Sequence, residues 1–267
     1  MHNSRGFTLV ELIIAMVLMG IIVAVLAPLA AHPFTAYQSG KERAMLVALA
    51  DDDFFLMLRD VHQALPNSLR VNAAGTAFEM IHVENAGRYR AVASNLAGSD
   101  TLDFTQPDNS FQVAGSLPNP TAGTQLVIYH TGQPGADAYA GDAVVTPTNT
   151  GITSIPGVPE SLVKLSSAHQ FPYPSPTQRF YLIDTPISYL CKNNQLWRYD
   201  QYALQPVAAS PPAGARFTLV SDDVTACTFT YQPGTATRAG VISLQLTLSA
   251  NGETIQLLEQ GNVPNGI

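Results

Sequence analysis

One carboxylate interrupts the long apolar segment near the beginning of the chain. From Phe7 to Ala31 the only charged residue is Glu11. A carboxylate in the middle of a membrane helix costs about 2.5–3.5 kcal/mol on insertion scales, and such carboxylates usually have a polar partner. Glu11 therefore predicts an interaction that neither a cleaved signal peptide nor a plain membrane anchor explains.

The apolar segment has the length of a membrane-spanning helix. Its roughly 25 residues would extend about 38 Å as an α-helix, which is enough to cross a bilayer. An ordinary signal peptide has an apolar region of only about 7–15 residues, and cleavage after Ala27 would leave Pro28 directly after the cut. We therefore predict a helix that remains in the membrane.

The residues at the start of this segment resemble type IV prepilins. The stretch GFTLVE is similar to the site at which a leader peptidase cleaves after the glycine, here Gly6, and N-methylates the next residue, here Phe7. By this resemblance, residues up to Gly6 form a leader peptide, and Glu11 is the fifth residue of the mature chain. Gly20 and Pro28 fall where many pilins carry a helix-loosening glycine and a kinking proline.

The resemblance also supplies a partner for the carboxylate. Cleavage leaves an ammonium group on Phe7, and Glu11 would pair with the ammonium of a neighbouring subunit when the helices bundle. Two buried charges are costly apart and tolerable together, so the pair would set the axial register between subunits. The expected processing residues are Gly6 and Phe7, and the expected assembly residues are Glu11, Gly20 and Pro28.

The helix is predicted to continue beyond the membrane. Between Phe34 and Leu65, apolar residues recur at the spacing of one helix face, and Pro66 ends the pattern. These residues are Val47, Phe54, Leu58, Val61 and Leu65. We interpret the stripe as packing against the sheet that follows. The Asp51-Asp52-Asp53 run is interpreted as a solvated face, with contact to a basic partner surface as the alternative.

After Pro66 the pattern changes to short strands. Alternating apolar residues or β-branched runs bounded by turn residues indicate strands. Lys192-Asn193-Asn194 is predicted to form a hairpin turn, and Asn251-Gly252 is the preferred dipeptide of a type I′ turn. The predicted strands are Leu69–Asn72, Phe78–Val83, Tyr89–Val92, Thr101–Thr105, Gln125–His130, Phe180–Ile183, Ile187–Cys191, Gln195–Tyr199, Ile242–Leu248 and Glu253–Leu258.

These patterns predict an α+β fold of the type IV pilin kind. A long N-terminal helix, with its N-terminal half in the membrane, packs on a large antiparallel β-rich head. The expected organisation is a leader at 1–6, a transmembrane half-helix at 7–31, an amphipathic half-helix at 32–65 and a periplasmic head at 66–267. Gly- and Pro-rich loops at 115–160 are expected to decorate the sheet, although a flexible linker is the alternative.

The head contains the two cysteines of the chain, Cys191 and Cys227. An even pair in a chain that leaves the cytoplasm indicates a disulfide. Two buried free thiols are the alternative. The spacing fits no zinc-binding pattern, because no CxxC is present.

Composition and motifs argue against several functional classes. The 267-residue chain is 46 % hydrophobic and only 12 % charged, with a formal net charge of −7. That balance is typical of secreted or assembly proteins, and the absence of a basic cluster argues against binding to nucleic acid. We find no HExxH, nucleophile-elbow or phosphate-loop motif, so we predict no enzyme, no cofactor and no metal site.

Two weaker ligand hypotheses rest on side-chain type alone. Asp100, Asp103 and Asp108 could bind calcium, although turn formation is the favoured role. Trp197, Tyr199 and Tyr202 could stack on a sugar, although packing around the disulfide is favoured. A membrane-anchored carbohydrate-binding adhesin is therefore the rival to an assembly subunit.

Short stretches of the head are similar to one branch of the pilin-like proteins. Residues 65–71, LPNSLRV, look like a stretch of the minor-pilin-like biogenesis proteins of the mannose-sensitive haemagglutinin (MSHA) type IV pilus, as do residues 100–104 and the segments around Cys191 and Trp197. The large minor pseudopilins of type II secretion share the same plan. The resemblance implies processing by prepilin peptidase, partnership with major and minor pilins, and a single-pass inner-membrane location with possible display at a pilus tip or the cell surface.

Overall fold

A computed structural model describes residues 8–93, 99–157, 159–208, 211–234, 238–263 and 266. Within these residues, one long helix, α1, precedes twelve strands, and the layout is the predicted α+β one. The helix spans Leu9–His62. The strands are β1 (Arg70–Val71), β2 (Ala77–Arg88), β3 (Asp108–Ala114), β4 (Gln125–Val127), β5 (Ile152–Ile155), β6 (Glu160–His169), β7 (Arg179–Lys192), β8 (Gln195–Asp200), β9 (Arg216–Ser221), β10 (Val224–Gln232), β11 (Gly240–Ala250) and β12 (Glu253–Val263).

Helix α1 runs without interruption for 54 residues, a length of about 81 Å. It ends at His62, three residues before the predicted end at Leu65. The Leu65 amide donates to the Ile81 carbonyl at 2.8 Å, and Ala64 forms a bridge with His82. The chain therefore already pairs with β2 before it reaches Pro66, which restricts Leu65 to extended conformations.

The strands form three antiparallel sheets. The largest has the order β1-β2-β7-β8-β9, with β4 added beside β7. A second sheet has the order β10-β11-β12, and a third has the order β3-β6-β5. The N-terminal apolar helix followed by a large antiparallel β-rich head confirms the predicted fold class.

Two hairpin turns have the predicted conformation. Asn193 and Asn194 both have positive φ, at 56° and 58°, and the flanking Lys192 pairs with Gln195. Asn251 and Gly252 have φ of 52° and 84° between β11 and β12. Positive φ at both central residues defines a type I′ turn, whose twist matches that of the flanking strands.

Other strand predictions differ from the structure. The two strands predicted at 180–183 and 187–191 are one long strand, β7, because β2 and β4 pair with its first half and β2 and β8 with its second. Tyr89–Val92 and Thr101–Thr105 are irregular segments, in which Leu102 donates to the Arg90 carbonyl. In the region 115–160, the strand predicted at Gln125–His130 is the shorter β4, Gln125–Val127, and β5, Ile152–Ile155, was not predicted.

The main core lies between α1, the large sheet and the β10-β11-β12 sheet. The buried face of α1 runs along Leu46, Ala50, Phe54, Met57 and Val61, with spacings of four and three residues. Phe54 and Val61 confirm part of the predicted stripe, whereas Val47 is 38 % exposed. At this end of the helix the neighbouring Leu46, which is 2 % exposed, is the residue that belongs to the core.

Candidate assembly interface

The N-terminal third of α1 is an exposed apolar rod. Residues Leu9–Leu26 have a mean hydropathy of 3.0, and none of them is buried against the head. Among the described residues, this is the one helix long and apolar enough to cross a membrane. Its composition and position are consistent with a membrane anchor. A chain with such a surface must bury it in lipid or against other apolar helices.

Glu11 lies in the first turn of this rod. The Thr8 hydroxyl oxygen accepts a hydrogen bond from the Glu11 amide at 3.3 Å, so Thr8 is the N-cap and Glu11 the third helical residue. This Thr-x-x-Glu spacing is that of a capping box, a signal that is present in the sequence and that the predictions above did not use. A carboxylate here also interacts favourably with the helix dipole. The side chain is exposed and forms no ion pair within the described part of the chain.

The other predicted N-terminal residues are only partly described. Gly6 and Phe7 lie outside the described residues. Gly20 lies inside the exposed helix, with open space where a side chain would be. Pro28 also lies within the continuous span of α1. The processing role of Gly6 and Phe7 and the assembly role of Glu11, Gly20 and Pro28 therefore stay predictions.

A buried charge network attaches the end of the helix to the large sheet. Asp60, which is 3 % exposed, accepts hydrogen bonds from the Tyr189 hydroxyl at 2.8 Å and from Arg198 Nε at 2.7 Å. Arg198 also pairs with Asp200, whose two carboxylate oxygens accept from Arg216 at 2.6 and 2.7 Å. Burial and the negative charge of Asp60 raise the pKa of the Tyr189 hydroxyl, so it remains a donor.

The Asp51-Asp52-Asp53 run is not uniformly solvated. Asp51 and Asp52 are exposed, but Asp53 is only 4 % exposed and faces β9 near Ser221. Asp53 Oδ2 and Ser221 Oγ are buried without a hydrogen-bond partner among the described residues. Burial raises the Asp53 pKa to about 7. The solvated-face interpretation is thus wrong for Asp53, because the helix turns this position toward the sheet.

A disulfide joins the two main sheets. Cys191 at the end of β7 bonds to Cys227 in β10, with a Cα–Cα distance of 6.4 Å and a sequence separation of 36 residues. Both residues lie at the main core between the sheets. The bond therefore connects the β10-β11-β12 sheet, which packs on α1, to the large sheet. Tyr189 and Arg198 of that large sheet donate to Asp60 of α1.

The aromatic residues considered for sugar stacking divide into two groups. Tyr202 is buried, and its hydroxyl donates to Glu79 at 2.7 Å, so it is not available to a ligand. Trp197 and Tyr199 share the face of β8 opposite Leu196, which belongs to the core beside Cys191. The favoured role in packing around the disulfide is therefore wrong for Trp197 and Tyr199, because alternate strand residues point to opposite faces. Both rings contact Phe217 on β9, which is exposed.

The acidic residues considered for calcium hold local turns together. Asp103 accepts from Thr105 and Gln106, and Asp108 accepts from the Asp103 amide at 2.9 Å. The Asp100 carboxylate accepts from the Ser110 hydroxyl at 2.6 Å. No group of three or more His, Cys, Asp or Glu side chains in the described residues is placed to hold a metal ion.

Comparison with known protein families identifies the N-terminal segment. The family model described as "Prokaryotic N-terminal methylation motif" matches residues 1–27. The chain carries a type IV prepilin-like motif. Searches of curated proteins and of solved structures found no match. The motif implies processing by prepilin peptidase and assembly with other pilins, and it points to a structural subunit and not to an enzyme.

Proposed function

We propose that this protein is a minor pilin-like subunit of an MSHA-type type IV pilus, of the kind called MshO, and that it helps to initiate or scaffold pilus assembly. The observation that carries the proposal is the methylation motif at residues 1–27, which includes the apolar helical segment Leu9–Leu26, exposed along its whole length. In this function the precursor inserts in the inner membrane, with its head in the periplasm. It is cleaved after Gly6 and packs through α1 against other subunits.

The head supports the narrower assignment through one stretch. Residues 65–71, which resemble the MSHA biogenesis proteins, form the junction between α1 and the large sheet. Asn67 has a positive φ of 62°, Ser68 Oγ accepts from the Ile81 amide at 3.1 Å, and Arg70 Nε donates to Glu79 at 2.6 Å. A stretch that sets the angle between helix and head is one that subunits with the same head would share.

Glu11 is the residue through which the proposal can be tested. Two roles of Glu11 must be separated. One is the charge pair with the Phe7 ammonium of a neighbouring subunit, and the other is the local cap of its own helix. Glu11→Gln removes the charge but keeps a capping-box side chain. Thr8→Val removes the capping hydroxyl but keeps the charge. We expect all variants, Glu11→Val included, to be cleaved after Gly6.

Incorporation into fibres is the second readout. In a deletion strain complemented with each variant, sheared pili are collected and the subunit is quantified. We expect Glu11→Val and Glu11→Gln to be largely lost from the fibre fraction and Thr8→Val to be retained. Normal incorporation of Glu11→Gln would contradict the charge pair. A mature chain that begins at Pro28 or His32 by mass spectrometry would contradict processing as a prepilin.

A type II secretion pseudopilin is the alternative within the same class, because the methylation motif and the layout of helix and head are common to both. The same deletion strain separates the two. Loss of surface pili with normal protein secretion supports the pilus assignment. Loss of secretion with normal piliation supports the pseudopilin.

One observation favours a secondary carbohydrate contact at the head. Phe217 is 62 % exposed and lies 5.5 Å from Trp197 and 6.1 Å from Tyr199, measured between ring centroids. Outward aromatic faces of this kind can stack on sugar rings. Glycan-array binding by the full chain that Phe217→Ala abolishes would support this role. Binding that Phe217→Ala leaves unchanged would exclude this surface as the sugar site.

A further inference from the structure

Strand β9 forms an open edge of the large sheet. It stands at the end of the strand order and pairs with β8 on one side only. Its first four residues, Arg216 to Leu219, are exposed, and this stretch is called the β9 edge below. Natural edge strands are usually covered, bulged or blocked by lysine or proline. The β9 edge contains neither residue, and the bulge of the strand lies beyond it, between Leu219 and Ser221.

The turn between β7 and β8 determines which backbone groups of β9 point outward. The residues that flank a two-residue hairpin loop, here Lys192 and Gln195, exchange two hydrogen bonds. Bonded and non-bonded pairs then alternate along each ladder, and counting across β8 makes Thr218 a bonded partner of that strand. The N–H and C=O groups of Phe217 and Leu219 therefore point away from β8. No other group among the described residues pairs with them.

The same two residues carry exposed apolar side chains. Phe217 is 62 % exposed and Leu219 is 41 % exposed. Across the ladder they pair with Tyr199 and Trp197, whose rings both contact Phe217. Outward backbone groups and apolar side chains thus recur together at every second residue. A sugar needs only the aromatic rings, whereas an added β-strand uses both features, because main-chain bonds give affinity and alternate side chains give specificity.

A second copy of the chain does not suit this edge in a membrane-anchored subunit. Asp53 of α1 faces Ser221, the last residue of β9. Further along α1, Asp60 accepts from Arg198, which pairs with Thr218 of β9. Strand β9 therefore runs beside α1 in the opposite direction. Antiparallel pairing of two β9 edges about a two-fold axis would reverse α1 in the second copy and direct the two apolar helices to opposite sides.

The charges beside the edge indicate the composition of the partner. At the start of β9, Arg216 is neutralised by Asp200. Directly after β9, Asp222 is exposed and forms no ion pair within the described part of the chain. The whole chain carries a formal net charge of −7. A segment with a basic residue beside Asp222 would be complementary in charge.

We propose that the β9 edge binds an extended segment of a neighbouring subunit as an added β-strand. The segment carries apolar residues at alternate positions, which pack on Phe217 and Leu219, and a lysine or arginine beside Asp222. The proposal rests on the proposed function only for the class of the partner, another pilin-like subunit. It adds a contact between the head and a neighbour to the helix packing through α1.

The first test measures peptide binding to the unmodified full chain in detergent. Short overlapping peptides cover the heads of the pilin-like subunits encoded with this protein, and fluorescence anisotropy measures their affinity. We expect binding by peptides with alternating apolar residues and a basic end. N-methylation of a bound peptide should weaken binding several-fold at every second residue and not at the residues between, because only alternate N–H groups of an added strand face the edge. Binding by none of the peptides, or equal sensitivity at all positions, would overturn the proposal.

Leu219→Pro and Leu219→Ala separate the backbone of the edge from its side chain. Both variants remove the leucine, but only proline removes the outward N–H, and an edge strand tolerates proline where its N–H points to solvent. We expect Leu219→Pro to bind peptide several-fold more weakly than Leu219→Ala. Leu258→Ala is the matched control, because Leu258 is a 60 % exposed leucine on β12. Equal binding by the two Leu219 variants, or an equal loss in Leu258→Ala, would contradict strand addition.

Other occupants of the edge give different results. Self-association of the full chain that Leu219→Pro abolishes, with no peptide bound, would make a second copy the occupant and overturn the proposal. Glycan binding that Phe217→Ala removes and Leu219→Pro does not, again with no peptide bound, would assign the surface to a sugar. Failure of cleavage after Gly6 would contradict the proposed function, whereas normal cleavage without peptide binding would contradict the strand addition alone.

Discussion

At the scale of single residues, Asp53 is a carboxyl whose burial works against stability. The folded protein holds its pKa at about 7, and the unfolded chain holds it near 3.8. Between these values the folded state binds more protons than the unfolded state, so the stability from this group falls as pH rises from about 4 to about 7. Above pH 7 the cost is fully present.

Asp53→Asn should therefore stabilise the protein at neutral pH. We expect the free energy of unfolding at pH 8 to rise by about 1–3 kcal/mol, and the gain to vanish near pH 4. Chemical denaturation of the full chain in detergent between pH 4 and 8 measures both values. Asp52→Asn is the matched control on an exposed neighbour. A gain that is equal at pH 4 and pH 8 would contradict the ionisation of Asp53 as the cause.

Asp60 is the opposite case, a buried carboxylate with strong partners. Arg198→Ala should lower the free energy of unfolding by about 3–5 kcal/mol. Among the described residues, the buried Asp60 carboxylate then keeps only Tyr189 and Arg59 as side-chain donors. Arg59→Ala should cost less than about 1 kcal/mol, since the Arg59 side chain is largely exposed. Denaturation of both variants tests this contrast. Repeating Arg198→Ala in an Asp60→Asn background should reduce the loss.

At the scale of elements, the disulfide between β7 and β10 connects two sheets that share a core. Closing a loop of 36 residues stabilises a fold by about 3–4 kcal/mol in the chain-entropy description. We expect the Cys191→Ser, Cys227→Ser double variant, or reduction with a thiol, to lower the unfolding midpoint accordingly. Denaturation with and without reductant measures the loss. The double variant should not respond to reductant at all, which controls for effects of the thiol itself.

At the scale of the whole molecule, one exposed apolar rod projects from a β-rich head. We expect the intact protein to fractionate with membranes and to resist extraction by alkaline carbonate, because the largely apolar 18-residue segment Leu9–Leu26 must leave water as a unit. Immunoblots of carbonate-washed membranes test this. Release of the intact chain into the soluble fraction would contradict a membrane-embedded helix.

The local features of the chain could be predicted because their causes are local. The apolar run, the methylation motif and the turns at Asn193-Asn194 and Asn251-Gly252 each depend on residues within one stretch. The helix ends three residues before the predicted end at Leu65, because the Leu65 amide already donates to the Ile81 carbonyl of β2. The prediction of two separate strands in place of β7 was wrong for a similar reason, because β2 pairs with both halves of β7.

The sequence by itself determined that this chain begins as a prepilin-like helix and continues as an antiparallel β-rich head, since motif, hydropathy and turn chemistry are read along the chain. Only the tertiary structure decided which face of α1 is buried, that Asp53 and Tyr202 leave the solvent, and that Trp197 and Tyr199 lie half-buried on the face of β8 opposite Leu196. Those outcomes depend on partners far away in the chain. Asp60 and Arg198 are 138 residues apart, and no local pattern specifies that the fold brings such residues together.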